Sequence, residues 1–172
     1  APATTAGEAV APRAEPLRRP WLAVLDGKLY AGGGYSGDGD YLSSVERYDP
    51  ALDVWEVVAP MAEARYKLAV AVLDGKLWVT GGGGEWTTVS VVDPEKNAGD
   101  TTKRCMTDGR GYHTLAVLDG ELHAIAGIPL GHWIDRHRSV EKYDPRTNIW
   151  SVVPEMALPF PRDYFAGAKL MC

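Results

Sequence analysis

A chain of 172 residues is long enough for one domain with a real core. Its 19 Gly, 6 Trp and 8 Tyr against 2 Phe favour short strands joined by tight turns. A formal net charge of -5 argues against nucleic acid as the main partner, the two cysteines (Cys105 and Cys172) are too few for a disulfide scaffold and show no metal spacing, and no stretch is long and apolar enough to cross a bilayer as a helix.

Residues 1–16 are rich in Ala and Pro and show no apolar alternation. They are expected to form an extended or disordered tail or linker, or a peptide that docks on a neighbour. The first residue is Ala rather than Met, so a processed or truncated piece of something longer is expected. Two unpaired thiols fit a reducing compartment, and a cytoplasmic location is expected.

From Leu17 onward the chain repeats itself. Leu22-Ala-Val-Leu-Asp-Gly-Lys-Leu-Tyr30 returns as Val70-Ala-Val-Leu-Asp-Gly-Lys-Leu-Trp78 and as Leu115-Ala-Val-Leu-Asp-Gly-Glu-Leu-His123. Downstream, Ser44-Val-Glu-Arg-Tyr-Asp-Pro50 corresponds to Ser90-Val-Val-Asp-Pro94 and to Ser139-Val-Glu-Lys-Tyr-Asp-Pro145. Trp55-Glu-Val-Val-Ala-Pro-Met61 is matched by Trp150-Ser-Val-Val-Pro-Glu-Met156. The Asp-Gly pairs stand 48 and then 45 residues apart, a period that suits propeller blades.

Each unit reads as four strands, here called a to d. Strand a is a continuous apolar run, as expected when both faces are covered. Asp-Gly makes a two-residue hairpin into strand b, because both central positions need positive φ. Strand b runs into glycines, strand c alternates and ends at Asp-Pro, and strand d begins near Trp. No segment keeps a 3.6-residue apolar period for three turns, so no helix is expected. The units span residues 17–61, 62–106 and 107–156, with the first strand of a fourth in 157–172. In the second unit Val92 replaces Tyr and Gly99-Asp100 stands where Trp belongs, so its strand d is expected to be degenerate, doubtful or displaced.

The order Arg, apolar strand, Asp-Gly, Leu-Tyr, Gly-Gly, Tyr-Asp-Pro, Trp, Met resembles the kelch repeat, from Leu17 to the C-terminus. The resemblance implies an all-β fold: a partial kelch β-propeller of three four-stranded blades plus the first strand of a fourth, with strand a innermost. Strands a then fall near 22–25, 68–73, 114–118 and 165–170. Propellers of this family have more blades, and an open fan leaves exposed strand edges. The expectation is that more of the same chain or another chain completes it.

The glycine clusters 32–34 and 81–84 lack the Lys-Ser/Thr and the helix of a phosphate loop, so they read as packing and turn glycines. His123 is expected to pack in its blade. His132, Asp135 and His137 form a loose cluster in one loop that lacks a further ligand at zinc spacing. No catalytic triad or fixed carboxylate pair emerges; Asp38 and Asp40 share one turn. No catalytic residue, metal or cofactor is therefore assigned.

The resemblance implies that ligands engage the face built from the d–a and b–c loops. The residue seven before each Asp-Gly is Arg19, Lys67 and Tyr112. The b–c loops add Tyr35, Ser36 and Asp38, then Glu85 and Trp86, then His132 and Trp133. Aromatic and basic residues gathered on one rim suit a protein-binding hot spot; Trp86 and Trp133 have the alternative of folding back over blade edges. Arg65, Arg110 and Arg162 match the repeat's own arginine and read as bridges between loops. The functional expectation is a non-enzymatic protein-binding platform, with a role as a subunit or scaffold in a larger assembly or on the cytoskeleton, and with no membrane, nucleic acid or small-molecule substrate. The alternatives are the substrate-recognition module of a cullin-type ubiquitin ligase adaptor, as in BTB-kelch proteins, and more remotely a metal-dependent enzyme on the same propeller.

Overall fold

A computed structural model describes residues 18–83, 86–100, 105–131 and 136–163. The described residues form three antiparallel four-stranded sheets. The first holds β1 (Trp21–Leu25), β2 (Lys28–Gly32), β3 (Val45–Asp49) and β4 (Val54–Val58). The second holds β5 (Ala69–Leu73), β6 (Lys76–Thr80), β7 (Val89–Asp93) and β8 (Ala98–Asp100). The third holds β9 (Thr114–Leu118), β10 (Glu121–Ile125), β11 (Val140–Asp144) and β12 (Ile149–Val152), followed by a 3-10 turn at Pro154–Met156. In every sheet the spatial order is the chain order, and β5 lies against both β1 and β9, so the first strands are innermost. This is the blade arrangement of a propeller.

The turns are fixed by local chemistry. Asp26-Gly27, Asp74-Gly75 and Asp119-Gly120 all take positive φ at both positions, as a two-residue hairpin with the right twist requires. The third strands stop at Asp49, Asp93 and Asp144, whose carboxylates accept the backbone N–H of Ala51, Lys96 and Arg146 at 2.9, 3.1 and 2.8 Å. Asp53, Asn97 and Asn148 then turn the chain in the left-handed conformation that Asp and Asn tolerate.

Register decides which side chains meet. Ala23 stands opposite Tyr30 and Gly32 opposite both Trp21 and Val45. Trp21, Leu25, Tyr30 and Val45 of the first sheet bury against Leu77, Val79 and Val92 of the second. The other face of the second sheet, with Ala69, Leu73, Trp78 and Val91, packs on Leu115, Leu122, Tyr143 and Trp150 of the third. Three corresponding backbone bonds join the blades: the N–H groups of Gly34, Gly82 and Gly127 donate to the carbonyls of Arg65, Arg110 and Arg162 at 2.8, 3.1 and 2.9 Å.

As far as it is described, the second sheet's fourth strand is in register, with Val92 opposite Gly99 where the first sheet has Tyr48 opposite Trp55. Over the described residues 98–100 the strand is in place rather than displaced, and it is degenerate in having glycine where the first blade has Trp55. Space explains the glycine: a Cβ on Gly99 would lie 2.6 Å from the Pro60 carbonyl, so the preceding blade occupies the room a side chain would need. Asn97 completes that contact by accepting the Ala59 N–H at 2.7 Å. The strand expected at 165–170 lies outside the described residues. Among the described residues, no helix is long and apolar enough to cross a membrane.

Candidate functional site: the face of the b–c and d–a loops

Alternating strand direction puts every b–c and d–a loop at one end of the blades. Two buried arginines hold these loops. Arg110 is fully buried; its guanidinium donates to Glu141 Oε1 from Nε at 3.1 Å and Nη2 at 2.9 Å, and to the carbonyls of Ala126 and Ser139 at 2.8 and 3.1 Å. Glu141, also fully buried, accepts the N–H groups of Thr107 and Asp108 at 2.6 and 3.1 Å. Arg65 is the counterpart one blade earlier. It donates to the carbonyls of Gly81 and Thr88 and to Ser90 Oγ, at 3.0, 3.2 and 3.1 Å, with half-exposed Glu63 at 3.2 Å as its ion pair. Both side chains bridge loops, as the sequence reading expected. Arg162 contributes its carbonyl to Gly127 while its side chain is exposed.

Each arginine leads into the position counted from the Asp-Gly pairs. Arg19, Lys67 and Tyr112 have φ of 53°, 64° and 53°, the left-handed region that disfavours a Cβ. This turn aims their side chains together at the end of the innermost strands. Arg19 Nη1 donates to the hydroxyls of Tyr66 at 3.2 Å and Tyr112 at 3.4 Å, which lie 2.7 Å from each other. The Lys67 ammonium sits over three rings, 4.9 Å from the Tyr66 centroid, 5.2 Å from Tyr112 and 5.3 Å from Trp86. Tyr35 meets Tyr66 edge-on at 5.2 Å, and Tyr41 packs on Tyr66 at 5.5 Å. Burial lowers the pKa of Lys67, and the charge of Arg19 lowers it further against the opposing effect of Tyr66. Tyr66, followed by Tyr35 and Tyr112, raises that of Arg19.

Of the two alternatives for Trp86, rim contact or folding back over the blade, its burial agrees with folding back. It is 6% exposed, its Nε1 donates to the Gly83 carbonyl at 3.1 Å, and its ring lies flat over Gly111, where a Cβ would come within 2.7 Å of the indole. Its far side lines a cleft of about 420 Å³ with Thr87, Asp108, Gly109, Pro129, Leu130 and His137. His137 Nε2 donates to the Gly109 carbonyl at 3.3 Å, and burial, then the nearby Arg110 charge, keep its pKa below the ordinary value. His113, beneath the face, is pushed down to about 3, first by burial and then by Arg110. It is therefore neutral, with Nε2 2.8 Å from Thr80 Oγ1. His123 is buried in its blade, as expected.

Of the sequence-assigned rim, Arg19, Tyr35, Lys67, Trp86 and Tyr112 come together. Ser36 and Asp38 form a separate small turn beside Tyr35, in which Ser36 receives the N–H of Gly39 on its carbonyl and that of Asp40 on Oγ. Glu85, His132 and Trp133, and with them most of the loose histidine cluster, lie outside the described residues. Tyr41 and Tyr66 were missed. Tyr66 adjoins Lys67, and Tyr41 is bridged to Tyr35, so reading one residue to either side of each counted position would have found the first. Among the described residues, no group of three His, Cys, Asp or Glu could hold a metal ion.

Residues 22–62 and 109–157 match the family model described as the kelch motif. The chain belongs to the kelch-repeat family. It is 34% identical over 67 residues to Kelch-like protein 35 of Mus musculus and 36% identical over 64 residues to Kelch-like protein 35 of Homo sapiens. The matched segments cover 39% and 37% of this chain and 10% of each relative. Kelch blades therefore account for the repeat and the three sheets, and the family is coarsely one of protein-interaction modules. The chain spans only a small part of the curated relatives it matches.

Proposed function

We propose that the chain is a non-enzymatic protein-binding platform whose contact surface is the b–c and d–a loop face. The observation that carries the reading is the convergence of Arg19, Lys67 and Tyr112 with Tyr35, Tyr41 and Tyr66 beside the Trp86 cleft. Large aromatic rings and a guanidinium held in place by neighbours suit a binding hot spot, because little side-chain entropy is lost on association.

A role as a subunit of a larger assembly is supported by the first sheet. Leu22 is 59% exposed, whereas its counterpart Leu115 is 6% exposed because the second sheet covers it. Another blade or a neighbouring chain would bury the same face. The ligase-adaptor role is the second reading, favoured by the similarity to Kelch-like protein 35, nine tenths of which lies outside the match.

The test is crosslinking mass spectrometry on complexes of the endogenous protein, followed by binding of the identified partner to the Tyr35→Ala and Trp133→Ala variants. Weaker binding in either supports the loop face. Unchanged binding in both removes it. A recovered cullin scaffold selects the adaptor role, and one stoichiometric assembly crosslinked at blade edges selects the structural role.

A further inference from the structure

The described tyrosines differ in what their hydroxyls do. Tyr30 and Tyr143 are buried inside their blades. The Tyr48 and Tyr143 hydroxyls donate to Asp53 and Asn148 at 2.7 and 2.8 Å, and those of Tyr66 and Tyr112 lie 2.7 Å from each other. Tyr41 is 51% exposed, and its hydroxyl makes no hydrogen bond to a described residue. Its ring packs on that of Tyr66 at 5.5 Å, which holds the side chain without covering it. Tyr41 thus presents an accessible phenol oxygen.

The segment before Tyr41 supplies a second, independent observation. Ser36-Gly-Asp-Gly-Asp40 carries no apolar side chain, and a Cβ at Gly37 or Gly39 would meet nothing within 4 Å. The turn is closed by the Ser36 N–H donating to the Asp40 carbonyl at 2.9 Å, and by the Gly39 and Asp40 N–H groups donating to Ser36 at 3.2 Å each. Such bonds exchange with water at little cost, and the turn buries nothing apolar. The segment can therefore open into an extended strand without disturbing the sheets. An extended segment is what the substrate groove of a protein kinase accepts. Asp38 and Asp40 precede the phenol and Leu42 follows it. Carboxylates on the N-terminal side and an apolar residue after the acceptor suit the charge pattern of a tyrosine-kinase groove.

We propose that Tyr41 is a tyrosine-phosphorylation site and that its phosphate regulates the loop face; the regulatory half rests on the protein-binding reading above. The phenol oxygen attacks the γ-phosphorus of ATP. The new O–P bond forms as the bond to the β–γ bridging oxygen breaks, ADP leaves, and the phenol proton passes to the kinase's catalytic Asp. The product carries about 1.5–2 negative charges at pH 7. They are added beside Tyr66, whose hydroxyl receives Arg19 and whose ring lies under Lys67. A dianion there offsets the positive charge of the face, so one modification changes which partners the face admits.

The experiment treats the whole chain and its Tyr41→Phe variant with Mg-ATP and a panel of recombinant tyrosine kinases, and locates phosphate by tandem mass spectrometry. Endogenous protein isolated under phosphatase inhibition is mapped in the same way. The expected result is phosphate on Tyr41 in both samples, removable by a tyrosine phosphatase. The kinase kcat/KM should fall about fivefold or more for Asp38→Asn/Asp40→Asn, with an unchanged circular dichroism spectrum. Absence of phosphate from Tyr41 in either sample, or its presence only on chain unfolded beforehand, would overturn the site. A group of the same mass that resists the phosphatase would assign a sulfate ester and overturn it too, and an unchanged kcat/KM would overturn recognition through the two carboxylates. With the partner identified by crosslinking, kinase treatment should shift affinity about tenfold for the parent and not for Tyr41→Phe. Equal affinity of the treated and untreated parent would overturn the regulatory half. Failure of every partner to bind the untreated chain would overturn the protein-binding reading and leave the modification site standing.

Discussion

The two buried arginines allow a comparison of one residue type in one register with different counter-charges. Arg110→Met removes a guanidinium of comparable length and leaves Glu141 fully buried, with only the N–H groups of Thr107 and Asp108 to solvate its charge. Removing one member of a buried ion pair costs about 3–5 kcal/mol, because the remaining charge is uncompensated. Arg65→Met leaves no buried carboxylate: Ser90 stands where the third blade has Glu141, and Glu63 is half exposed. What that variant orphans is chiefly the Gly81 carbonyl, since Thr88 O still receives the Gly81 N–H at 3.1 Å. An unsatisfied neutral acceptor costs about 1–3 kcal/mol, and burial already lowers the pKa of Arg65, so removing its charge recovers desolvation energy. Arg110→Met should therefore lose about 2 kcal/mol more than Arg65→Met. Adding Glu141→Gln to Arg110→Met should restore part of the loss. The measurement is equilibrium unfolding in urea, with coincident circular dichroism and tryptophan transitions required before free energies are compared. Equal losses in the two single variants, or no recovery in the double, would refute the assignment of the difference to the orphaned carboxylate.

Two further outcomes are expected. The pKa of His113 is about 3 in the folded chain against 6.5 as the ordinary value, so the unfolded state binds the extra proton first. Stability is then fully present above pH 6.5 and is lost as pH falls toward 3, about 2 kcal/mol of it by pH 5. His113→Gln should flatten this slope in urea titrations at pH 7 and pH 5, and an unchanged slope would assign the acid sensitivity to other groups such as His137. Ala126 has φ of 58° at the position where the other blades have Gly33 and Gly81. Ala126→Gly should stabilise by about 0.5–1 kcal/mol, strain relief offset by the added freedom of the unfolded chain. Calorimetry should show Tm rising by about 1–4 °C, and a fall would mean that the methyl group packs better than the backbone suffers.

The repeat was legible because its signals are local. An Asp-Gly pair specifies a hairpin from two residues, Asp-Pro ends a strand from two more, and the apolar run between them has no helical alternative. Counting from those fixed points also reached Arg19, Lys67 and Tyr112, since equal offsets from equivalent hairpins are equivalent places in space. Counting failed where contacts depend on two loops at once. Tyr66 belongs to the centre through ring contacts with Tyr35 and Tyr41 of one loop and Tyr112 of another. The burial of Trp86 was decided by the missing side chain of Gly111, 25 positions away, and the need for glycine at position 99 by the Pro60 carbonyl of the blade before. Neither partner leaves any periodic mark near the residue it controls.

The backbone and side chains of the loop face carry separate duties. The Tyr112 N–H donates to the Lys67 carbonyl at 2.9 Å, so corresponding residues of adjacent blades are tied through main-chain atoms that every amino acid except proline possesses. Arg110 holds the same loop from below through Glu141, and its own carbonyl receives Gly82. The left-handed turn is thereby imposed by neighbours rather than by the residue that adopts it. Arg19, Lys67 and Tyr112, three chemically different side chains, hold φ within 11° of one another. Changes at these positions should alter the chemistry offered to a partner while leaving the blades in place. The face can therefore acquire specificity at small cost to the fold, whereas Arg110 and Glu141 cannot be exchanged singly without loosening the loop that carries it.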